Sequence, residues 1–387
     1  MADRDHPSWI SPEPVRRAKS AVAVALSLVI LVGVIGVASW KGYSFYMDLM
    51  QHDDYIGDGD EPLQFVIPGG LGIGWGVVGD NLVAKDVIKD ASLFEKAALA
   101  IDTDNQGPTP GTWKIFTHLP AKTAAEMLTD KTNLVTVTLT VPEGRRLDNL
   151  YQILIDNVGV TQDQIDQAMA ANAADPGANI FGLNPDANGN PEGYLFPDTY
   201  ILYPPLNTDV MSIFKLMAAR FTDVATDIGL DDGAAALGLT PQQVVVVASI
   251  IEAEVNGDAD RAKVARAIYN RLAIDMPLRV ESAFRYGRLM ADGTPYDDDI
   301  TVDSQNDASL PYNYYINPGI PASPIDSPGR EALEAALNPA DGDWLYWVTV
   351  NLNTGETKFA TTEGEFNELV DEFQQWCSDN GQPKGCS

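Results

Sequence analysis

Glu252 follows an unbroken run of apolar or small residues, VVVVASII, from Val244 to Ile251. A helix with such residues on every side is typical of a protein core, so the carboxyl at its end is expected to lose hydration. Loss of hydration disfavours the charged form and raises the pKa of a carboxyl toward values at which it can donate a proton at neutral pH. Cleavage of a glycosidic bond needs such an acid, so Glu252 is a candidate for this role.

Glu254 is the nearest second carboxyl in the sequence. It lies two positions on, roughly 160° round a helix, so the two glutamates are predicted not to form one paired site. A structural interpretation of Glu252 also stays open. In that interpretation Glu252 marks only the point where a core helix reaches solvent, bridged to Arg261 or Arg266.

The helix that carries Glu252 has a well-marked start. Thr240 is a predicted cap, Pro241 suits the first helical position, and Gln243 can close a capping box with Thr240. Elsewhere short alternating strands and helical patterns are mixed along the chain, which predicts an α+β fold. Between 63 and 171 the order of strand, helix and helix resembles a LysM-like glycan-binding module.

Residues 20–40 contain no charged residue, and this length matches the hydrocarbon core of a membrane. Arg16, Arg17 and Lys19 precede the segment, so the positive-inside rule predicts a single transmembrane helix with a cytoplasmic N-terminus and an exported remainder. A cleaved signal peptide is the alternative, although the apolar run is longer than is usual for one.

The composition excludes several classes of function. A net charge of −30 argues against nucleic acid as a partner, because phosphates would be repelled. Three scattered histidines and two cysteines predict neither a metal site nor a cofactor, and the glycines at 69–76 lack the GK[ST] of a nucleotide loop. Cys377 and Cys386 could close a small disulfide loop in an oxidising compartment.

Several phrases in a fixed order carry a family resemblance. They are EGYLFPDTY (192–200), ASIIEAE (248–254), AIYNRLAIDMPLRVES (267–282), YNYY, GIPASPI and SPG (312–329), and DWLYWV (343–348). Over residues 190–367 the chain resembles the MltG/YceG-like family of endolytic peptidoglycan transglycosylases. The resemblance implies that Glu252 cleaves the MurNAc–GlcNAc β-1,4 bond of nascent peptidoglycan and leaves a 1,6-anhydroMurNAc end. It also implies a role as a strand terminase at the cell membrane, beside peptidoglycan synthases.

The resemblance further implies an organisation and a set of substrate-binding residues. The predicted parts are a cytoplasmic tail (1–19), a transmembrane helix (20–40), a linker (41–62), a LysM-like module (63–171), a mixed α/β catalytic domain with a buried catalytic helix (172–367) and a C-terminal tail (368–387). The predicted substrate-binding residues are Glu192, Tyr194, Asp198, Arg279, Glu281, Tyr312, Asn313 and Tyr315.

The chain departs from the family pattern at a few positions. Arg279, Glu281 and Ser282 replace the usual glutamine, aspartate and proline, and Thr357 replaces a histidine. These departures favour a different class of function, a silent glycan-binding scaffold, which the intact ASIIEAE phrase opposes. A hydrolytic muramidase is another alternative, and it would need Glu281 as a second carboxylate to activate water.

Overall fold

The computed structural model describes residues 39–41, 54–70, 72–255, 257–295, 300–310, 312–383 and 386, without the side chains of Asp258 and Asp292. The predicted cytoplasmic tail, all but the last two residues of the predicted membrane helix, and residues 42–53 of the predicted linker lie outside the described residues. Within the described ranges, no single helix is long and apolar enough to cross a membrane. Two consecutive helices, Leu230–Ala236 and Pro241–Glu254, would together be long and apolar enough to span a membrane, but they are bent by 93° where they meet.

The chain divides into two compact units, and the first ends at Leu134. Its sheet pairs β1 (Pro62–Ile67) with β2 (Gly111–Phe116) in antiparallel register. Its helices are α1 (Trp75–Ala84), α2 (Ala91–Ile101) and α3 (Ala121–Thr129). The chain turns between α1 and α2 at Asp86, where φ is +58°.

The second unit starts at Val135 and holds Glu252. Its strands are β3 (Val137–Thr140), β4 (Thr199–Leu202), β5 (Tyr346–Asn351) and β6 (Glu356–Ala360). Its helices are α4 (Leu147–Val158), α5 (Gln162–Ala174), α6 (Val210–Asp227), α7 (Leu230–Ala236), α8 (Pro241–Glu254), α9 (Asp258–Ala273), α10 (Glu281–Asp292), α11 (Val302–Gln305), α12 (Arg330–Leu337) and α13 (Glu363–Asp379). Strand β3 pairs antiparallel with β4, and β5 with β6. This mixture of helices and small sheets is the predicted α+β class.

Helix α8 is the centre of the second unit. The Thr240 hydroxyl accepts a hydrogen bond from the N–H of Gln243, whose side chain in turn accepts from the N–H of Thr240, so the predicted capping box is confirmed. Every residue from Val244 to Ile251 is buried, because α8 packs against α7, α9, α10 and α12. The expectation of a helix enclosed on all sides is therefore confirmed. Glu252 lies in the last turn of this helix, directly after the buried run.

The border between the units lies closer to the N-terminus than the predicted border at 171/172. Strand β3 pairs with β4, and the buried side chains of α4 and α5, such as Leu154 and Ile165, join the same core cluster as α8. Pairing over such a distance in sequence leaves no local signal, and the order of strand, helix and helix therefore placed β3, α4 and α5 with the first unit as one LysM-like module.

The C-terminal segment predicted as a tail from 368 continues a helix. Helix α13 runs to Asp379 and packs on β5 and β6. Cys377, which is buried, is joined to Cys386 by a disulfide. The small loop that the two cysteines could close is therefore formed.

Candidate active site

The carboxylate of Glu252 is held from two sides. Its Oε1 lies 3.3 Å from Nη2 of Arg261 on α9, and its Oε2 accepts a hydrogen bond of 3.2 Å from the backbone N–H of Gly329. Gly329 is the residue just before α12, where unsatisfied N–H groups carry partial positive charge. The side chain of Glu252 is 9% exposed. It is therefore a nearly buried carboxylate with a cation and a helix end as partners.

The ion pair with Arg261 is one of the two that the structural interpretation of Glu252 anticipated. The other candidate, Arg266, instead donates to the backbone carbonyls of Ala340 and Pro339. An ion pair is compatible with both interpretations of Glu252, because a catalytic carboxylate also needs a fixed orientation.

A glycine loop and an extended segment meet beside Glu252. The N–H of Gly144 donates to the carbonyl of Ser327 at 2.9 Å, and the N–H of Ser327 donates to the carbonyl of Arg145 at 3.1 Å. A Cβ on Gly144 would lie 3.5 Å from Cγ of Glu252 and 3.9 Å from Oδ2 of Asp326. A Cβ would therefore be in ordinary contact with both acids, and it is the φ of +67° that favours glycine at 144.

The extended segment is fastened to α8 by one hydroxyl. Ser249, which is fully buried in the apolar run, donates to the carbonyl of Val246 at 2.8 Å and accepts from the N–H of Ile325 at 3.1 Å. On its other side the segment packs against Gly193, where a Cβ would lie 2.4 Å from Cβ of Pro324. Ser249 and Gly193 together fix the path of residues 324–329 past Glu252.

Asp326 is a second carboxyl at this place, and the sequence predictions missed it. It is 4% exposed, and its Oδ1 has no hydrogen-bond partner among the described residues. Burial raises the pKa of the Asp326 carboxyl well above its usual range, and the charges of Glu252 and Glu192 raise it further. Its only signal in the sequence is an acidic residue between the GIPASPI and SPG phrases, and those two phrases, without Asp326, carry the family resemblance.

Glu192 is the third carboxyl of the cluster. It is 3% exposed, accepts from the N–H of Leu147 at 3.2 Å, and lies 3.4 Å from the hydroxyl of Tyr286, which donates to it. Burial raises the pKa of Glu192 to about 8. Glu192, which is predicted to bind substrate, is thus buried against the first residue of α4. Its charge also contributes to the raised pKa of Asp326.

The remaining predicted residues of the EGYLFPDTY phrase have other surroundings. Tyr194 is buried with its ring 5.0 Å from that of Phe221, and its hydroxyl has no hydrogen-bond partner within the described ranges. Asp198 is half-exposed and pairs with Arg220 at 2.7 Å. No described contact brings either of them to Glu252.

The aromatic residues of the YNYY phrase are joined to the cluster through one tyrosine. The ring of Tyr312 packs edge-on against that of Tyr286 at 5.2 Å, and Tyr286 donates to Glu192. Asn313 is buried and donates to the carbonyls of Gln305 and Asp307, which orders the loop after α11.

Tyr315 also packs on α10, and its N–H donates to the side-chain oxygen of Asn313 at 3.3 Å. Its ring is 5.3 Å from that of Phe284, and burial raises the pKa of Tyr315 to about 12.

The departures at 279–282 lie at the start of α10. Arg279 is exposed, with φ of +49°, and its N–H donates to the carbonyl of Tyr314. Glu281 accepts from Arg285 at 2.6 Å, and its side chain is 55% exposed. No described contact joins either side chain to Glu252.

Glu254 has a separate environment. Ser282 donates to its Oε1 at 2.8 Å, and Trp347 lies 3.4 Å from its Oε2. Burial raises the pKa of the Glu254 carboxyl. The expectation that Glu252 and Glu254 do not share one site is confirmed, since the partners of the two carboxyls differ throughout.

An open groove of about 340 Å³ begins at the loop that carries Gly144. Its polar lining comes from Arg145 and from the amides Asn149, Gln152 and Asn157 of α4. Among the described residues Arg145 has no carboxylate partner, and the same residues contain no group of three or more acids, histidines or cysteines that could hold a metal ion.

Fold and site define a mixed α+β protein whose candidate centre is a cluster of buried carboxyls. Residues 69–372 match the family described as the YceG-like family, and the chain belongs to that family.

Similar proteins include an endolytic murein transglycosylase of Streptococcus pneumoniae strain D39, 28% identical over 256 residues, or 62% of this chain and 45% of that protein. An endolytic murein transglycosylase of Bacillus subtilis strain 168 is 31% identical over 182 residues, or 47% of this chain and 48% of that protein. The chain spans about half the length of these curated relatives. A 2.6 Å crystal structure of a yceG-like protein from Listeria monocytogenes shares the fold, with a TM-score of 0.52 and 24% identity over 80% of this chain and 100% of that chain.

Proposed function

We propose that the chain is an endolytic lytic transglycosylase of peptidoglycan, with Glu252 as its general acid and base. The observation that carries this proposal is the position of Glu252, a nearly buried carboxylate fixed by Arg261 and the N–H of Gly329. The names of the relatives in Streptococcus pneumoniae and Bacillus subtilis support the same reaction.

The proposed reaction needs only one carboxyl that gives and takes a proton. Protonated Glu252 donates to the glycosidic oxygen as the bond from that oxygen to C1 of MurNAc breaks. The carboxylate then takes the proton of the 6-hydroxyl, whose oxygen bonds to C1 and closes the 1,6-anhydro ring. The proton returns to Glu252 and no water is consumed, so a second nucleophilic carboxylate is unnecessary.

The groove beside Gly144 is the proposed path of the glycan strand. The amides of Asn149 and Gln152 can hydrogen-bond with sugar hydroxyls and acetamido groups, and Arg145 offers a cation to stem-peptide carboxylates. In a chain with a net charge of −30, an arginine without a carboxylate partner among the described residues favours an acidic group on the substrate. The open side of the groove suits a polymer that is cut within its length.

The cellular setting is also a proposal. The uncharged segment at 20–40 and its preceding basic residues support a single-pass anchor, with the catalytic unit outside the cell membrane and close to new glycan. At the membrane the enzyme would cut new glycan strands beside peptidoglycan synthases and so terminate them. The LysM-like module at 63–171 would bind glycan as well.

A silent glycan-binding scaffold is the second candidate, and the replacements at Arg279, Glu281 and Ser282 favour it. The deciding experiment incubates the full chain, purified in detergent, with peptidoglycan strands and determines the ends of the soluble fragments. Anhydro ends support the transglycosylase, reducing ends would show a muramidase, and retention of glycan without fragments would show a scaffold.

A further inference from the structure

The proposed reaction gives no role to Asp326 or Glu192, and of these two Asp326 is the one with a buried carboxyl oxygen that has no hydrogen-bond partner among the described residues. We propose that Asp326 is a positioning residue that keeps one proton beside Glu252, so that the two carboxyls enter each catalytic cycle as a pair sharing a single proton. The inference rests on the proposed function and adds a second acid to it.

The geometry places the two acids around one point beside Gly144. A Cβ on Gly144 would lie 3.5 Å from Cγ of Glu252 and 3.9 Å from Oδ2 of Asp326, so both side chains border the space that this glycine leaves open. Asp326 follows Ile325, which is bonded to Ser249 on α8, and precedes Gly329, which is bonded to Glu252. The segment that carries Asp326 is thus tied at both ends to the helix that carries Glu252.

The hydrogen bonds distinguish the three carboxyls. Glu252 receives donors from Arg261 and Gly329, and Glu192 receives donors from Leu147 and Tyr286. Oδ1 of Asp326 is buried and has no donor within the described ranges. A buried carboxylate without a donor is costly, whereas a neutral carboxylic acid there needs only an acceptor. In the proposed pair that acceptor is Glu252, whose charge acts on Asp326.

The charges around Asp326 support the same assignment. Glu252 faces it from α8 and Glu192 from the loop before β4, while Arg146 faces it from the residue before α4. Arg261, on α9, is paired with Glu252. Because two like charges and burial oppose one cation, the pKa of Asp326 is raised well above its usual range. Two carboxyls that interact strongly lose their protons in two separated steps, and such a pair holds its last proton to a higher pH than one carboxyl alone would.

The shared proton has a defined course in the reaction. Asp326 transfers it to Glu252, Glu252 donates it to the glycosidic oxygen, and Asp326 is left as a carboxylate. When Glu252 takes the proton of the 6-hydroxyl, the pair again holds one proton and can return it to Asp326. No bond other than O–H bonds changes on the protein, and the proton count is the same before and after the cycle.

The experiment compares the full parent chain with Asp326→Asn, Asp326→Ala, Glu252→Gln and a matched control, Asp186→Asn. Asp186 is half-buried in the same unit, burial raises its pKa, and no described contact joins it to Glu252. The measurement is the rate of fragment release from peptidoglycan strands over pH 4–10, with thermal melting of each variant. The expected result for both Asp326 variants is a rate about 10- to 100-fold lower, as for other groups that act through a catalytic residue. The alkaline limb of the pH profile should also move to lower pH, whereas Asp186→Asn should retain both the rate and the limb.

An Asp326→Asn protein that folds and keeps both the parental rate and the parental alkaline limb overturns the inference. If the parent itself releases no fragments, the proposed function has failed, and an infrared titration then tests the inference without activity. The band of a protonated carboxyl should be present at pH 7 in the parent and in Glu192→Gln, and should weaken in Asp326→Asn. An unchanged band in Asp326→Asn would show that Asp326 is ionised and would equally overturn the inference.

Discussion

The Oε2 atom of Glu252 accepts a hydrogen bond of 3.2 Å from the backbone N–H of Gly329, so the last turn of α8 faces the first turn of α12. This contact gives the carboxyl a fixed position that its sequence neighbours do not supply. Since the partner is a main-chain group 77 residues away, the position of Glu252 depends on the path of the segment 324–329.

Changing Glu252 to Gln keeps the size of the side chain and removes its titrating proton. We expect the release of anhydro-muropeptides to fall by about 10²–10⁴, the usual contribution of a general acid and base, while the melting temperature stays close to that of the parent. Glu254→Gln is the matched control, because Glu254 ends the same helix and has different partners. The soluble products are measured by chromatography. If Glu252→Gln releases them at nearly the parental rate, Glu252 is not the general acid and base.

Changing Ser249 to Ala removes the hydroxyl that bridges Val246 and Ile325. The buried N–H of Ile325 then lacks its acceptor, so the free energy of unfolding should fall by about 1–3 kcal/mol, and activity should fall because the segment 324–329 loosens. Thr222→Ala is the control, since Thr222 bonds only to a carbonyl of its own helix, α6. Denaturant unfolding of both variants gives the comparison, and equal losses would contradict the bridging role.

Changing Gly193 to Ala tests the other side of the same segment. Gly193 has φ of +81°, and a Cβ there would collide with the ring of Pro324. We expect a loss of about 2–4 kcal/mol from backbone strain and displaced packing together, with a loss of activity at temperatures where the variant is still folded. Gly229→Ala has a similar positive φ and open space around it, so strain alone should act there. Similar melting temperatures for the two variants would argue against the collision.

Glu192 makes stability depend on pH in a defined direction. Its pKa is raised from 4.5 to about 8 by burial, so between these values the folded chain keeps a proton that the unfolded chain releases. The stabilisation from this group is complete below pH 4.5 and is lost as the pH rises through 8. We expect the melting temperature to fall between pH 5 and pH 9 by more in the parent than in Glu192→Gln. Identical slopes for the two proteins would show that Glu192 titrates normally.

The proposed anchor predicts the side of the membrane for two positions. A single cysteine replacing Asp58 should react with an impermeant thiol reagent on intact cells, and one replacing Asp5 should react only after lysis. The native Cys377 and Cys386 form a disulfide and provide an unlabelled background. Protection of both positions, or release of the chain into the medium, would contradict the anchored topology.

The sequence predicts the helices and strands of this fold better than the contacts between them. The capping box at Thr240 and the buried run after it predict α8, because both signals are local. Glu192 interacts electrostatically with Asp326 and accepts a hydrogen bond from Leu147 at the start of α4. Nothing near Glu192 in the sequence indicates either contact. Asp326 escaped prediction because its chemistry arises from burial, and burial there results from chain segments that are far apart in sequence.

The pairing of β3 with β4 has a practical consequence for dividing the chain. A fragment that begins at residue 172 would expose one edge of β4, leave Glu192 without the N–H of Leu147, and lack Gly144 altogether. Such a fragment is expected to aggregate, because an uncovered strand edge and the apolar faces that α4 and α5 now cover would both meet water. Cutting after Leu134 leaves all of these contacts within one piece, so that position is the place to separate the two units for expression.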